Sequence, residues 1–299
     1  MSVFLNVLVP IVLIFASGFF LQKKQLLEVG SVSAVALYIL NPALVFRTFY
    51  TTEPDADLFR IVAFTMLFLL LMLLLNKLMG ILMKWDQEKT SGMTLATTFM
   101  NSGNYGAPLV LFAFGETAFS YSIIFMVIQA LLMSTVGVYI ANRSSLAAAD
   151  AFRVVLKMPV FHALIVGVLC QAVQLNITES YMDAVNMLAD AAIPVVMIVL
   201  GMQLAKISVS SLDWKLVSIG TAIRLVISPA AAYLLTLLLQ TDPTLSAVLI
   251  VSAAMPTAAT IAMIAVQFNS SPNLVSSITL VTTLCSVPSL WILLTLFGV

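Results

Sequence analysis

Phe99-Met100-Asn101-Ser102-Gly103-Asn104-Tyr105-Gly106-Ala107-Pro108 sets two asparagines, two glycines and a proline inside a run otherwise apolar enough to cross a membrane. No single continuous helix accommodates that stretch. Proline lacks a backbone donor and its ring collides with the preceding turn, glycine lowers helix stability, and lipid has no water to satisfy the freed carbonyls. Such a break is tolerated where the backbone is buried in protein or lines a wet cavity. A second break, Ala254-Met255-Pro256-Thr257, follows 148 positions later, counted from Pro108 to Pro256. A kink that serves packing alone explains either break taken singly. Interruptions at corresponding places in two halves point instead to the binding site of a secondary transporter.

The chain around these breaks is 62% hydrophobic and 9% charged, with a mean hydropathy of +1.11. This is the composition of an integral membrane protein, whose first partner is the lipid bilayer. Lysine plus arginine and aspartate plus glutamate number 13 each, so no basic surplus points to a nucleic-acid partner. With about 20 apolar residues required per span, ten spans are expected, near 3–21, 31–49, 58–83, 90–114, 118–141, 157–175, 183–205, 214–239, 244–267 and 274–297. The first is read as a retained helix, because Lys23 and Lys24 follow its apolar stretch where a signal peptide would carry its charge in front. Cys170 and Cys285 fall within spans and are read as small buried hydrophobes.

Charge orients the bundle. Loops after odd-numbered spans hold Lys23, Lys24, Lys77, Lys84, Lys89, Arg143, Arg153, Lys157, Lys206 and Lys215, whereas those after even-numbered spans hold Arg47 and Arg60. The positive-inside rule makes the odd loops cytoplasmic and places both termini outside a plasma membrane. The chain also repeats itself. Pro10, Gly18, Gln22 and Leu26 recur as Pro159, Gly167, Gln171 and Leu175, each displaced by 149, and Pro42 recurs as Pro194, displaced by 152. Five spans per copy is an odd number, so the second copy enters from the opposite side and the repeats are inverted. The expected fold is therefore an all-α membrane protein of two inverted five-helix repeats, residues 1–143 and 157–299, joined by a linker at 144–156. Helices four and nine are expected to be broken and to cross at their prolines.

Proline suits the first turn of a helix, where its missing donor does no harm, so Pro108 and Pro256 are read as opening two new half-helices. Because spans four and nine run oppositely, both N-termini meet at the bilayer middle with unpaired donors and positive dipole ends. Together they favour an anion where a lysine would be costly. Asn101 and Asn104 add amide groups for carboxylate oxygens, and Gly103 and Gly106 permit close backbone approach; with Pro108, Pro256 and Thr257 these are the candidate substrate-binding residues. Arg224, about eleven residues into span eight, and Asp190 in span seven are the ionisable pair at membrane depth. They are read either as a mutual charge pair or as an anion attractor and a proton-coupling group. His162 is read as interfacial, though its titration range would suit a proton relay. Gln129, Tyr139, Gln203 and Thr260 either line a cavity or bond between helices.

The run Asn101 to Pro108, with Gly106 two residues before the proline, resembles the crossover motif of the auxin efflux carrier family, which includes plant PIN carriers and bacterial permeases. Ser252-Ala253-Ala254-Met255-Pro256, followed by Pro288, is similar to the ninth and tenth helices of that family, and the likeness covers essentially the whole chain without the long cytoplasmic loop of many plant members. The resemblance implies a scaffold domain and a transport domain, helices four and nine crossing, a carboxylate held at the crossing by Asn101, and homodimerisation. Thr257, Ala258 and Ala259 depart from the plant pattern, which argues against auxin, and the resemblance to the bacterial members implies a small organic acid of the malonate or malate kind.

No enzyme signature is present. One histidine excludes a His-Glu-x-x-His zinc helix, and neither Gly-x-Ser-x-Gly nor a phosphate-binding Gly-x-x-x-x-Gly-Lys loop occurs. No metal or other cofactor is expected, and any active transport would draw on a gradient. Two other readings stay open: a sodium-coupled organic anion symporter of the bile-acid type, whose sodium sites would want acidic and glutamine ligands beside the crossing, and a membrane sensor that binds without transporting.

Overall fold

Apolar runs punctuated by proline and glycine fold, over the described residues, into helices. The computed structural model describes residues 4–25, 27–53, 55–142, 155–207 and 213–299. Of the linker read at 144–156, only Val155 and Leu156 lie within the described residues. The helices are α1 (Leu5–Lys23), α2 (Val29–Thr51), α3 (Ala56–Leu82), α4 (Gln87–Thr98), α5 (Ser102–Ala141), α6 (Pro159–Ala172), α7 (Glu179–Lys206), α8 (Trp214–Leu238), α9 (Pro243–Ala253), α10 (Ala259–Gln267) and α11 (Pro272–Leu296). Among the described residues there is no strand; Met100 and Thr257 form one isolated antiparallel bridge.

Seven of these helices, α1, α2, α3, α5, α7, α8 and α11, are long and apolar enough to cross a membrane, and α6 and α9 are apolar but shorter. That is fewer than the ten spans expected, of which the fourth and ninth were to be broken. The sixth span is short, at 14 residues, the ninth is divided into α9 and α10, and α5 is a single run of 40 residues through the second part of the fourth span and the fifth. At about 1.5 Å per residue such a run would reach about 60 Å, twice a hydrocarbon core of about 30 Å. Gly115 interrupts it, with φ 80° and ψ −170°. Gly115, Glu116 and Thr117 are exposed at this kink. That backbone region is essentially reserved for glycine, and a side chain there would cost about 1–3 kcal/mol in strain.

Proline leaves a second signature. Among the described residues, widened turns of the π type occur at Phe4–Leu8, Ala36–Leu40, Ser102–Gly106, Met133–Gly137 and Ile223–Ile227. All but Met133–Gly137 end two residues before a proline, namely Pro10, Pro42, Pro108 and Pro229. The proline ring presses on the carbonyl one turn back, and a turn closed by an i to i−5 bond makes room for it. Aspartates cap four helix starts. Asp55, Asp86, Asp213 and Asp242 accept backbone donors at the beginnings of α3, α4, α8 and α9. The Lys89 amide and ammonium hold the Asp86 carboxyl below its usual range.

Small residues decide which helices touch. A Cβ at Gly18 of α1 would lie 2.1 Å from the Ile198 carbonyl oxygen of α7, and one at Gly201 of α7 would lie 1.9 Å from the Phe15 oxygen of α1. The two backbones are in contact, an approach only glycine allows. In the same way a Cβ at Gly167 of α6 would meet the Phe46 oxygen of α2 at 3.0 Å. Tyr50 Oη donates to the Leu175 carbonyl at 2.8 Å, and Arg47 Nη1 donates to Asp190 Oδ1 at 2.6 Å, tying α2 to the chain after α6 and to α7. Helices α1, α2, α6 and α7 thus form one panel. On the other side, Met93, Phe99, Leu216, Ile261, Val275 and Ile278 bury one another where α4, α8, α10 and α11 meet. Of the cysteines read as buried, Cys170 is half-buried and Cys285 is exposed on α11. In so apolar a helix that face suits lipid, where a thiol is as acceptable as in a core.

Candidate functional site

The breaks between α4 and α5 and between α9 and α10 lie against each other. The Asn101 backbone N–H donates to the Pro256 carbonyl at 2.8 Å, and the Ala258 N–H donates to the Phe99 carbonyl at 3.1 Å. Each interrupted strand of backbone therefore satisfies the other, which a break at membrane depth requires. Thr257, fully buried, adds a hydroxyl bond to the Ala96 carbonyl at 2.6 Å, and its own N–H donates to Thr282 Oγ1 at 3.2 Å. At Gly106 an added Cβ would stand 3.1 Å from Met255 Cγ, so the second link approaches the first through this glycine.

Two helix N-termini begin at the crossing, at Ser102 and at Ala259. Asn101 stands in the capping position of α5 yet makes no side-chain cap bond. Its side chain is buried, at 5% exposure. Among the described residues neither its amide nor that of half-buried Asn104 has a hydrogen-bond partner. Ala258, which precedes α10, has no polar side chain to cap with. Unpaired amide groups and the positive ends of two helix dipoles therefore stand together, and among the described residues no protein anion answers them. Pro108 is buried in the first turn of the α-helical part of α5, which begins at Ala107 after the widened turn Ser102–Gly106. Pro256 differs from the expectation: it lies three residues before α10, in the link, where its fixed φ suits an extended segment and its carbonyl serves Asn101.

Two helix C-termini end at the same place, α4 at Thr98 and α9 at Ala253. Arg224 of α8, with no exposed surface, reaches both. Its Nη1 donates to the Thr97 carbonyl at 2.5 Å, and its Nη2 donates to the Ala253 carbonyl and to Ser228 Oγ, which itself donates to the Ala253 carbonyl at 2.7 Å. A cation belongs at the negative ends of helices. The expected pairing of Asp190 with Arg224 is not formed. Asp190 lies on α7 in the outer panel, where Arg47 is its partner, while α8 packs on the crossing. Backbone carbonyls carry no mark in a sequence, so Thr97 and Ala253 could not have been found there; Ser228, four residues from Arg224 on the same helical face, could have been. Asn76 of α3 also joins the site by accepting from Thr97 Oγ1 at 2.9 Å.

The remaining polar candidates scatter. Gln129 Nε2 reaches the Thr98 carbonyl at 3.5 Å, Gln203 is buried away from solvent, Thr260 is half-buried, and Tyr139 is exposed. His162 is exposed and bonded through Nε2 to the Leu156 carbonyl at 2.8 Å. Tyr105, buried beside Asn104, sets its ring edge-on to Phe15 at 5.0 Å, which brings the start of α5 against the α1 panel. A separate cavity of about 490 Å³ opens among the starts of α4, α8 and α11, lined by Asp86, Lys89, Asp213, Leu216, Asn273 and Ser277; Asn101 and Thr257 are not in its lining.

The family model described as "Membrane transport protein" matches residues 3–294. An uncharacterized transporter of Methanothermobacter thermautotrophicus is 27% identical over 293 residues, covering 96% of this chain and 94% of that one. An uncharacterized transporter of Methanocaldococcus jannaschii is 25% identical over 271 residues, 86% of each chain.

Proposed function

The chain belongs to the membrane transport protein family, that of the auxin efflux carriers, and on that premise we propose that it is a secondary transporter of a small organic anion of the carboxylate class, working by alternating access. It is a multi-pass membrane protein and not an enzyme. In our reading it lies in the plasma membrane with both termini outside, and a second copy of the chain is a partner. The observation that carries the substrate class is Asn101: a buried capping residue whose amide has no partner among the described residues, at the start of a helix without a side-chain cap. A carboxylate supplies the acceptors that this amide and the free backbone donors lack.

The architecture we propose counts ten passes, with α5 divided at Gly115, its first part joined to α4 as the fourth helix, and α9 joined to α10 as the ninth. A symmetry of contacts supports inverted repeats. Displacing Gly18 by 149 and Ile198 by 152 gives Gly167 and Phe46, and both pairs are in backbone contact, α1 on α7 and α6 on α2. In this reading α1, α2, α6 and α7 are the scaffold, and the helices carrying the crossing move against it at the Tyr105–Phe15 contact.

The test is uptake of labelled malonate, malate, succinate, lactate and indole-3-acetate into proteoliposomes under an imposed potential, pH gradient or sodium gradient. Saturable uptake of a small carboxylate in preference to indole-3-acetate is expected. Absence of uptake for every acid under every gradient would overturn the proposal.

A further inference from the structure

We infer that Arg224 is a tethered cation standing where a transported coupling cation would otherwise be held, so that transport through this crossing is independent of sodium. In transporters built on broken helices, unwound carbonyls and half-helix C-termini coordinate the coupling ion. Here the corresponding oxygens, the Thr97 and Ala253 carbonyls and the Ser228 hydroxyl, are all engaged by one guanidinium. They come from three different helices and converge at a fully buried point.

Three further features fit a fixed charge and not a structural ion pair. Among the described residues no carboxylate pairs with Arg224; the ion pairs are Arg47–Asp190, Arg60–Asp57 and Lys89–Asp86. Its Nε is buried without a hydrogen-bond partner, so the group is held by what a cation needs, with a donor to spare. A guanidinium also keeps its proton under all conditions a cell provides, so the charge can neither leave with the substrate nor be titrated away. The positive charge that would otherwise arrive and depart with each cycle is thus permanent, and it stands at the same crossing as the unpartnered Asn101 amide.

Removing the side chain leaves a cage of oxygens for a small monovalent cation or for free guanidinium. The flux arm of the test rests on the carboxylate-carrier reading, and the melting arm does not. Purified wild-type protein should melt at the same temperature in sodium chloride as in choline chloride, and its flux should be the same in both. Arg224→Ala should melt lower and lose flux by about tenfold or more, as expected when a buried charge-assisted network is removed. Sodium or guanidinium ion, at concentrations too low to denature, should raise the melting temperature of the variant by mass action while choline does not. Wild-type melting or flux that rises with sodium would overturn the inference, as would a folded Arg224→Ala that neither ion stabilises. If Arg224→Ala yields no folded protein, the wild-type comparison decides together with Arg224→Lys, which should fold and stay indifferent to sodium; a sodium requirement in either would count against the tethered charge. If no acid is carried at all, the melting measurements still stand, so the two readings fail separately.

Discussion

Asn101→Ala loses transport while the protein stays folded and inserted. Alanine at a capping position ordinarily costs about 0.5–2 kcal/mol because a bond to the backbone disappears. Asn101 makes no such bond, and among the described residues its amide has no partner to abandon. Stability should therefore change little. What disappears is an amide hydrogen bond to a charged ligand, worth about 1.5–3 kcal/mol, or roughly ten- to a hundredfold in affinity. Uptake at substrate concentrations below saturation should fall by that factor, with an unchanged elution profile in detergent. Full uptake by the variant would place the substrate elsewhere. Asn104→Ala is expected to be milder, because that residue is only half-buried.

The largest effect on stability is expected at Gly201. An alanine Cβ there would come 1.9 Å from the Phe15 carbonyl oxygen, 2.8 Å from its carbon and 2.9 Å from the Phe19 nitrogen. All three are backbone atoms of α1, so no rotamer change relieves the collision. The helices must separate, and Gly18 stands at the same seam with the Ile198 oxygen 2.1 Å from its own Cβ position. Overpacking a close-packed contact typically costs about 1–3 kcal/mol, and an obstruction by backbone lies at the upper end or beyond. Gly201→Ala should melt well below wild type and recover poorly as monodisperse protein. Because the two glycines share one seam, Gly18→Ala and Gly201→Ala should combine non-additively. Gly30→Ala is the control: nothing lies within 4 Å of its Cβ position, and no loss is expected. Equal melting of Gly201→Ala and Gly30→Ala would mean that α1 and α7 are not in contact at this seam.

The crossing was legible in the sequence because residues that break helices are conspicuous in an apolar run. Asn101, Gly106 and Pro108 announced the first link and Pro256 the second, and the two links do bond to each other. Thr257 was legible as part of the second link only by its position, and its partners on α4 and α11 could not be read. Helix lengths were less legible: apolar runs show where a chain can be buried in lipid, not where a half-helix stops, so the breaks that leave α4 and α10 short were expected but the exact ends of these pieces, at Thr98 and Ala259, were not. Arg224 illustrates a different limit. Its depth in an apolar helix marked it as important, yet its partners are carbonyl oxygens that every residue carries, and the nearest acid by depth, Asp190, proved to belong to another helix layer. The panel contacts of Gly18 and Gly167 were visible as a repeat, but that they are helix-to-helix contacts required coordinates.

Counterflow is the most direct test of a carboxylate carrier that works at this crossing by alternating access. Proteoliposomes preloaded with the unlabelled acid are diluted into a trace of the labelled acid, without any imposed gradient. A carrier that must reorient with substrate bound accumulates label transiently above equilibrium, and Asn101→Ala should fail to do so. Binding of the acid by purified protein with no counterflow would contradict the carrier and identify a sensor.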